Sequence, residues 1–218
     1  MTIGSSKRSD NHSTTSLSLH DHDLCAEKEF KLLGVIVDDK LTWCSHIQHI
    51  VSKVAPKIGL LSRLRHTLPK HLLNTVYKAI VQPHFDYCDT IWGGCYQKYQ
   101  DILQRLQNRA ARIITGNFDY SISPRALIIE LGWQRLYDRR NFQLSVPMYK
   151  CLNNLAPKYL FDKFQYASSS HDKNTRRSTS GDLCLPRPGT EKYKQSLSYR
   201  GAKTWNRSEE RRVGKECR

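Results

Sequence analysis

From Ser45 to about Asn153 the apolar residues return every three or four positions, punctuated by proline and glycine, and this commits most of the chain to helices packed side by side. The clearest case is Ile47, Ile50, Val51, Val54, Ile58 and Leu61. At about 100° per residue they fall within an arc of roughly 100°, the width of a stripe facing a core. A helix is expected from Ser45, a suitable N-cap, to about Leu64. Pro56 falls opposite the stripe, so the hydrogen bond it lacks is lost toward solvent, kinking the helix without opening the core.

The same reasoning places further helices downstream. Leu68-Pro69 opens one whose apolar face is Leu72, Leu73, Val76, Tyr77 and Ile80, with Pro83 closing it. A segment from Phe85 to Trp92 ends at Gly93-Gly94, and a long helix runs from about Tyr96 to Thr115, with Gly116 as its C-cap. Ser123-Pro124 starts a short helix to Leu131, and another is expected over Gln134 to Asn153. Pro147 inside it costs about 3 kcal/mol if the helix is continuous, so either the helix breaks there or the sequence has drifted. Beyond Leu160 the pattern weakens. Ala167 to Ser180 reads as a Ser-rich basic loop, and Leu183 to Pro186 and Tyr193 to Trp205 read as extended or irregular pieces.

Before the helices, Phe30 to Val37 is largely apolar and ends in β-branched residues, which suits a central strand. Asp38-Asp39-Lys40 makes a polar turn after it. Residues 1 to 29 are rich in Ser, His and Asp, with only Leu17-Ser18-Leu19-His20 alternating like a short strand, and weak order is expected there. The fold class is thus mainly α: a helical bundle preceded by a short β element.

A formal charge of +15 means that the surface attracts phosphate backbones or other polyanions at long range. The last twelve residues, Arg207 to Arg218, are nearly all charge with no core, and they resemble the in-frame translation of a sequencing adapter. Set aside as an artefact, they remove five basic and three acidic residues and leave +13. No apolar run approaches the roughly 20 residues of a membrane span, and Met1 to Asp10 lacks the apolar core of a secretory signal. An intracellular protein, nuclear or cytoplasmic and without a membrane partner, is expected. The seven cysteines are widely spaced without a C-x-x-C pair and read as reduced thiols, several of them buried.

Catalytic chemistry finds little anchorage. Asp38-Asp39 invites a metal-dependent phosphoryl-transfer reading, which needs clustered carboxylates around Mg²⁺. Such a site would present a tyrosine two residues before the pair and a third aspartate far upstream, whereas Ile36-Val37 precede the pair here and only 37 residues come before it, so a solvated turn is the expectation. Cys44, His46 and His49 point in different directions on a helix and lack the convergent fourth ligand of a zinc site, as His20 and His22 lack partners. There is no nucleophile elbow, no P-loop and no dinucleotide fingerprint. No catalytic residue, metal site or cofactor is assigned to this chain.

The helix Tyr96–Thr115 carries the better signal. On a helical wheel Lys98, Arg105, Arg109 and Arg112 fall within roughly 60°, while Ile102, Leu103, Leu106, Ala110, Ile113 and Ile114 take the adjoining ~120°. One face meets the core and the next is a row of cations, suited to tracking duplex phosphates without reading sequence. The plain alternative is a solvated charged face. Lys53, Lys57 and Arg63 on the first helix, and Arg176-Arg177 in the later loop, are weaker additions. Trp43, Trp92, Trp133 and Trp205 are candidates for base stacking, but aromatics near helix ends more often pack.

The segment Leu33-Gly34-Val35-Ile36-Val37-Asp38-Asp39-Lys40-Leu41-Thr42-Trp43-Cys44-Ser45-His46-Ile47 resembles one found in reverse transcriptases of jockey- and CR1-like non-LTR retrotransposons, where the palm passes into the thumb. Pro83-His84-Phe85-Asp86-Tyr87-Cys88, Leu103-Gln104-Arg105-Leu106-Gln107-Asn108-Arg109-Ala110-Ala111-Arg112, Leu131-Gly132-Trp133, Met148 to Leu160 and Tyr199 to Asn206 are similar to later parts of the same family, in order.

The resemblance covers about residues 30 to 206. It implies a thumb and post-thumb fragment of an RNA-directed DNA polymerase that binds an RNA/DNA duplex or RNA. The palm and fingers, with their Mg²⁺, would lie outside this chain. Its implied domains are a palm-end β segment (1–43), a thumb-like bundle (44–116), post-thumb helices (117–165) and a loop-rich C-terminal segment (166–206), before the adapter-like tail (207–218). A basic helical protein-interaction module and a decayed, functionless remnant remain as alternatives.

Overall fold

The structure is a computed structural model that describes residues 17–19, 22–24, 27–169 and 181–207. It is mainly helical with short antiparallel β elements at the N-terminal side, as the apolar periodicity requires. The chain divides into two compact units, Met1–Tyr87 with Cys95–Leu127, and Cys88–Gly94 with Ile128–Arg218.

The first unit begins with two hairpins. β1 (Leu17–Leu19) pairs antiparallel with β2 (His22–Leu24), a partner the sequence did not announce. The central strand expected across Phe30–Val37 is instead two strands, β3 (Glu29–Leu32) and β4 (Val35–Asp38), with Leu32 opposite Val35. The break lies at Leu33 (φ 47) and Gly34 (φ 84). A two-residue turn with positive φ at both positions matches the right-handed twist of the strands it joins. Glycine adopts this backbone freely, and the Tyr87 hydroxyl pins the turn by donating to the Leu33 carbonyl at 2.5 Å. β3 is exposed along its length, whereas β4 buries Val35 and Asp38.

α1 (Cys44–Leu64) follows β4 and packs against it. Ile47, Ile50, Val54, Ile58 and Leu61 are buried and Val51 is half-buried, so the predicted stripe is the core face, with Pro56 on the exposed side. Burying each such side chain is worth about 1.5–3 kcal/mol. Ser45 is not the N-cap. It lies inside the first turn, and its hydroxyl bonds the Glu29 carboxylate.

Capping comes from Asp38, whose two carboxylate oxygens accept the N–H groups of Thr42 and Trp43, both at 2.8 Å. Leu41 (φ 50) and Trp43 (φ 64) turn the chain back so that those donors face the strand end. Asp38 is therefore buried rather than a solvated turn residue.

α2 (Lys70–Ile80) buries Leu73 and Tyr77 but leaves Leu72 exposed. Pro83 does not close it. It sits in the first turn of a new short helix, α3 (Gln82–Asp86), where its missing N–H costs nothing. The expected Phe85–Trp92 segment is broken at Cys88, left-handed at φ 52, before α4 (Asp89–Trp92). α5 (Gln97–Thr115) packs most extensively against α1 and ends at Gly116 in the left-handed conformation, as anticipated. α6 (Pro124–Glu130) opens on its proline.

In the second unit, α4 packs on α7 (Leu136–Leu152), and Arg140 lies over the Trp92 ring, 5.3 Å from its centroid. α7 stays helical through Pro147 rather than breaking there. Met148 and Cys151 on α7 share a core with Phe164, Leu183 and Ala202. After α8 (Lys158–Phe161), the region expected to be irregular is partly helical: α9 (Glu191–Lys194) and α10 (Leu197–Trp205). Both begin on hydroxyl caps, Thr190 accepting from the Tyr193 N–H and Ser196 from the Tyr199 N–H. Asn206 then grips Leu183, accepting its N–H and donating to its carbonyl, each at 2.9 Å. The loop expected from Ala167 to Ser180 opens with one 3₁₀ turn, and its remainder lies outside the described residues, as does the tail beyond Arg207.

Candidate nucleic-acid interface

The candidate face is built on α5, which a buried stripe of Leu103, Gln107, Ala110, Ile113 and Ile114 fixes against α1 and α2. With that stripe inward, Lys98, Arg105 and Arg109 are exposed. At about 1.5 Å per residue they extend over roughly 16 Å of helix. The Lys98 ammonium lies 4.7 Å from the Tyr99 ring centroid, which holds its flexible stem near the helix start. Asp101 occupies the same side one turn before Arg105 and accepts from the Gln97 amide at 2.8 Å, which tempers the positive field at the N-terminal end of the row.

Arg112 is not part of this row. It is buried, with its guanidinium donating to the carbonyls of Asp119 (2.7 Å) and Ile122 (2.9 Å) and lying 4.9 Å from the Tyr120 ring centroid. A wheel places its Cβ beside Arg105 and Arg109, but the chain after Gly116 folds back over it and takes up its donors. Its work is to fix the loop Asn117–Ser123. Within that loop the Asp119 carboxylate accepts from the Ser121 N–H and hydroxyl, and these bonds hold the carboxyl below the ordinary range.

On α1, Lys53 and Arg63 are exposed and Lys57 is half-buried. Lys57 is already engaged, donating to the Ile80 carbonyl at 3.1 Å and contacting the His84 ring nitrogen, so it ties α1 to α2 and α3. Burial, then the charges of Lys57 and Lys53, keep His84 below the usual histidine range. Arg176-Arg177 lie outside the described residues.

Of the four tryptophans considered for stacking, Trp43, Trp92 and Trp133 are buried and Trp205 packs against the α7–α10 core, so they serve packing.

The Asp38-Asp39 pair does not fit a magnesium site. Both Asp38 oxygens are spent on backbone N–H donors, and although burial alone would raise its carboxyl, these bonds outweigh it and bring it below the ordinary value. His46 is directed to structure as well. It is buried and accepts from the Ile36 N–H at 3.3 Å, while burial, with a smaller contribution from His49, drops its pKa from 6.5 to about 4.

Sequence reasoning missed one feature of this unit. Where α1 ends, α2 begins and α5 ends, a groove of about 440 Å³ opens among Arg65, Lys70, Leu73, Ile113, Ile114 and Phe118. These residues come from three elements, so no spacing in the sequence pointed to them.

Fold and face together define a class: a mainly helical, strongly basic protein with exposed cations set beside a buried stripe. In sequence the chain is 35% identical over 91 residues to the probable RNA-directed DNA polymerase from transposon X-element of Drosophila melanogaster. That stretch is 39% of this chain and 10% of the relative, so the chain spans about a tenth of the polymerase's length. The match supports a relationship to retrotransposon reverse transcriptases. No family profile and no solved structure matches the chain. Among the described residues no helix is long and apolar enough to cross a membrane.

Proposed function

We propose that this chain forms part of a jockey- or CR1-like retrotransposon polymerase, in which the unit built on α1, α2 and α5 acts as a thumb that grips the template–primer duplex. The observation that carries the reading is the coincidence of two things: partial identity to a transposon-encoded RNA-directed DNA polymerase, and an exposed Lys98–Arg105–Arg109 row on a helix locked to the core. Such a row neutralises phosphates and sets position, while base identity goes unread. Polymerisation itself, with its Mg²⁺, belongs to a palm formed by other residues, so this chain alone grips without synthesising. Its site of action is inside the cell, where the template RNA is.

The test is a fluorescence-anisotropy titration of an RNA/DNA hybrid across a salt series. Each phosphate contact adds about 0.9 to the slope of log affinity against log salt. Replacing Lys98, Arg105 and Arg109 by Ala lowers both affinity and slope. A face that docks an acidic protein instead would leave hybrid binding unchanged in this variant and sink the thumb reading.

A further inference from the structure

The groove between the ends of α1, α2 and α5 combines three properties. Its floor is apolar, formed by Leu73, Ile113 and Ile114, all buried helix residues. Its rim is cationic, with Arg65, His66 and Lys70, and none of its lining residues is acidic. One wall is the half-exposed Phe118 ring, with the Arg65 guanidinium 4.7 Å from its centroid.

The wall is held in place. Gly116 ends α5 at φ 70, and three residues later Arg112 clamps the Asp119 carbonyl at 2.7 Å, so Phe118 lies between two fixed points. The Asn117 side chain adds a bond from the Asp119 N–H at 3.0 Å. A loop ordered in advance leaves less entropy to lose when a ligand arrives.

A flat apolar wall beside cations asks for a ligand with a planar face and a negative charge on one compact unit. A nucleotide has both, and a cavity of about 440 Å³ is within the range of small-ligand sites. A phosphate alone would leave the floor and ring unused, and a paired base has both of its faces covered by its neighbours in the stack. We infer that this groove takes one unpaired nucleotide, its base joining the Arg65–Phe118 stack and its phosphate meeting Lys70 and Arg65. The inference rests on the reading that this unit holds nucleic acid, and it adds a place for the single strand where it leaves the duplex.

The experiment compares a blunt RNA/DNA hybrid with the same hybrid bearing a short single-stranded extension that contains 2-aminopurine, using the full chain. Base–aromatic stacking predicts that the extended hybrid binds about tenfold more tightly, with the 2-aminopurine emission quenched. Phe118→Ala removes the preference and the quenching while blunt-hybrid affinity holds, because Phe118 is not in the α5 row.

The triple Ala variant of that row weakens both hybrids and keeps their ratio. Measurable but equal binding of the two hybrids, an abasic extension that binds as tightly as the normal one, or a preference that survives Phe118→Ala would each overturn the inference. Free 2-aminopurine riboside monophosphate separates the two ideas. If it is quenched by the wild type and not by Phe118→Ala while neither hybrid binds, the groove stands and the duplex grip falls.

Discussion

Replacing Asp38 by Ala tests how the β4–α1 junction is built. The carboxylate accepts two backbone N–H groups at 2.8 Å, one at the buried Trp43 and one at Thr42, which is partly exposed. Hydrogen bonds to a charged acceptor contribute about 1.5–3 kcal/mol each, and the loss leaves buried donors unpaired. Taking the upper part of that range for the Trp43 bond and the lower part for the Thr42 bond gives a cost of about 3–4 kcal/mol. Asp38→Asn keeps one acceptor and turns a donor toward a donor, so about half of that cost is expected.

Asp39 is the internal control. It neighbours Asp38 in sequence but plays no part in this cap, and Asp39→Ala should stay within about 0.5 kcal/mol of wild type. Because the chain has two units, hydrogen exchange resolved to the amides of α1 reads the effect better than a single global transition.

The pH dependence adds a second check. Asp38 has its folded pKa held below the ordinary 3.8, so its contribution is complete above that value and is lost as pH falls through the lower folded one. The gap between wild type and Asp38→Ala should therefore close in strong acid. Equal exchange in the Asp38 and Asp39 variants at neutral pH would refute the capping account.

Three further perturbations follow from the same geometry. His46, with a folded pKa of about 4 against an ordinary 6.5, stays neutral in the fold while the unfolded chain takes up a proton, so stability should decline as pH drops from 6.5 to 4. The amplitude is at most about 3 kcal/mol; unfolding midpoints across this window should flatten in His46→Gln, and an unchanged slope would contradict it. Arg112→Gln forfeits two bonds to carbonyls and should cost about 2–3 kcal/mol, yet leave the salt slope of hybrid binding as in wild type, since Arg112 is buried. A reduced slope would return Arg112 to the contact row. Asn206→Ala breaks both bonds to Leu183 and should cost about 2 kcal/mol, seen as faster exchange of the Leu183 amide, and unaltered exchange would show the clamp to be dispensable.

The parts of this fold that the sequence disclosed are those governed by local rules. The Ile47–Leu61 stripe and the Leu103–Ile114 stripe follow the helical period, and Gly116 and Pro124 sit where a left-handed C-cap and a first-turn proline belong. What stayed hidden depends on where the chain goes next. The Leu33-Gly34 turn lies within an apolar run that periodicity cannot distinguish from one strand.

Asp38 looked like a turn residue because its donors reach it only through the left-handed backbone at Leu41 and Trp43. Arg112 has the wheel angle of an exposed cation, and only the returning loop shows that its donors are spent. Of the candidate row, exposure was legible for Lys98, Arg105 and Arg109, over which none of the described residues folds back. The Thr190 and Ser196 caps were local signals passed over in a region read as irregular.

The central claim, that α5 grips a nucleic-acid duplex, is tested most directly by the salt dependence of hybrid binding in the wild type and in the Lys98, Arg105, Arg109 triple Ala variant. The account predicts that the slope of log affinity against log salt falls by about 2.7 in the variant, close to 0.9 for each lost phosphate contact. A slope that does not change when the three cations are removed would contradict it.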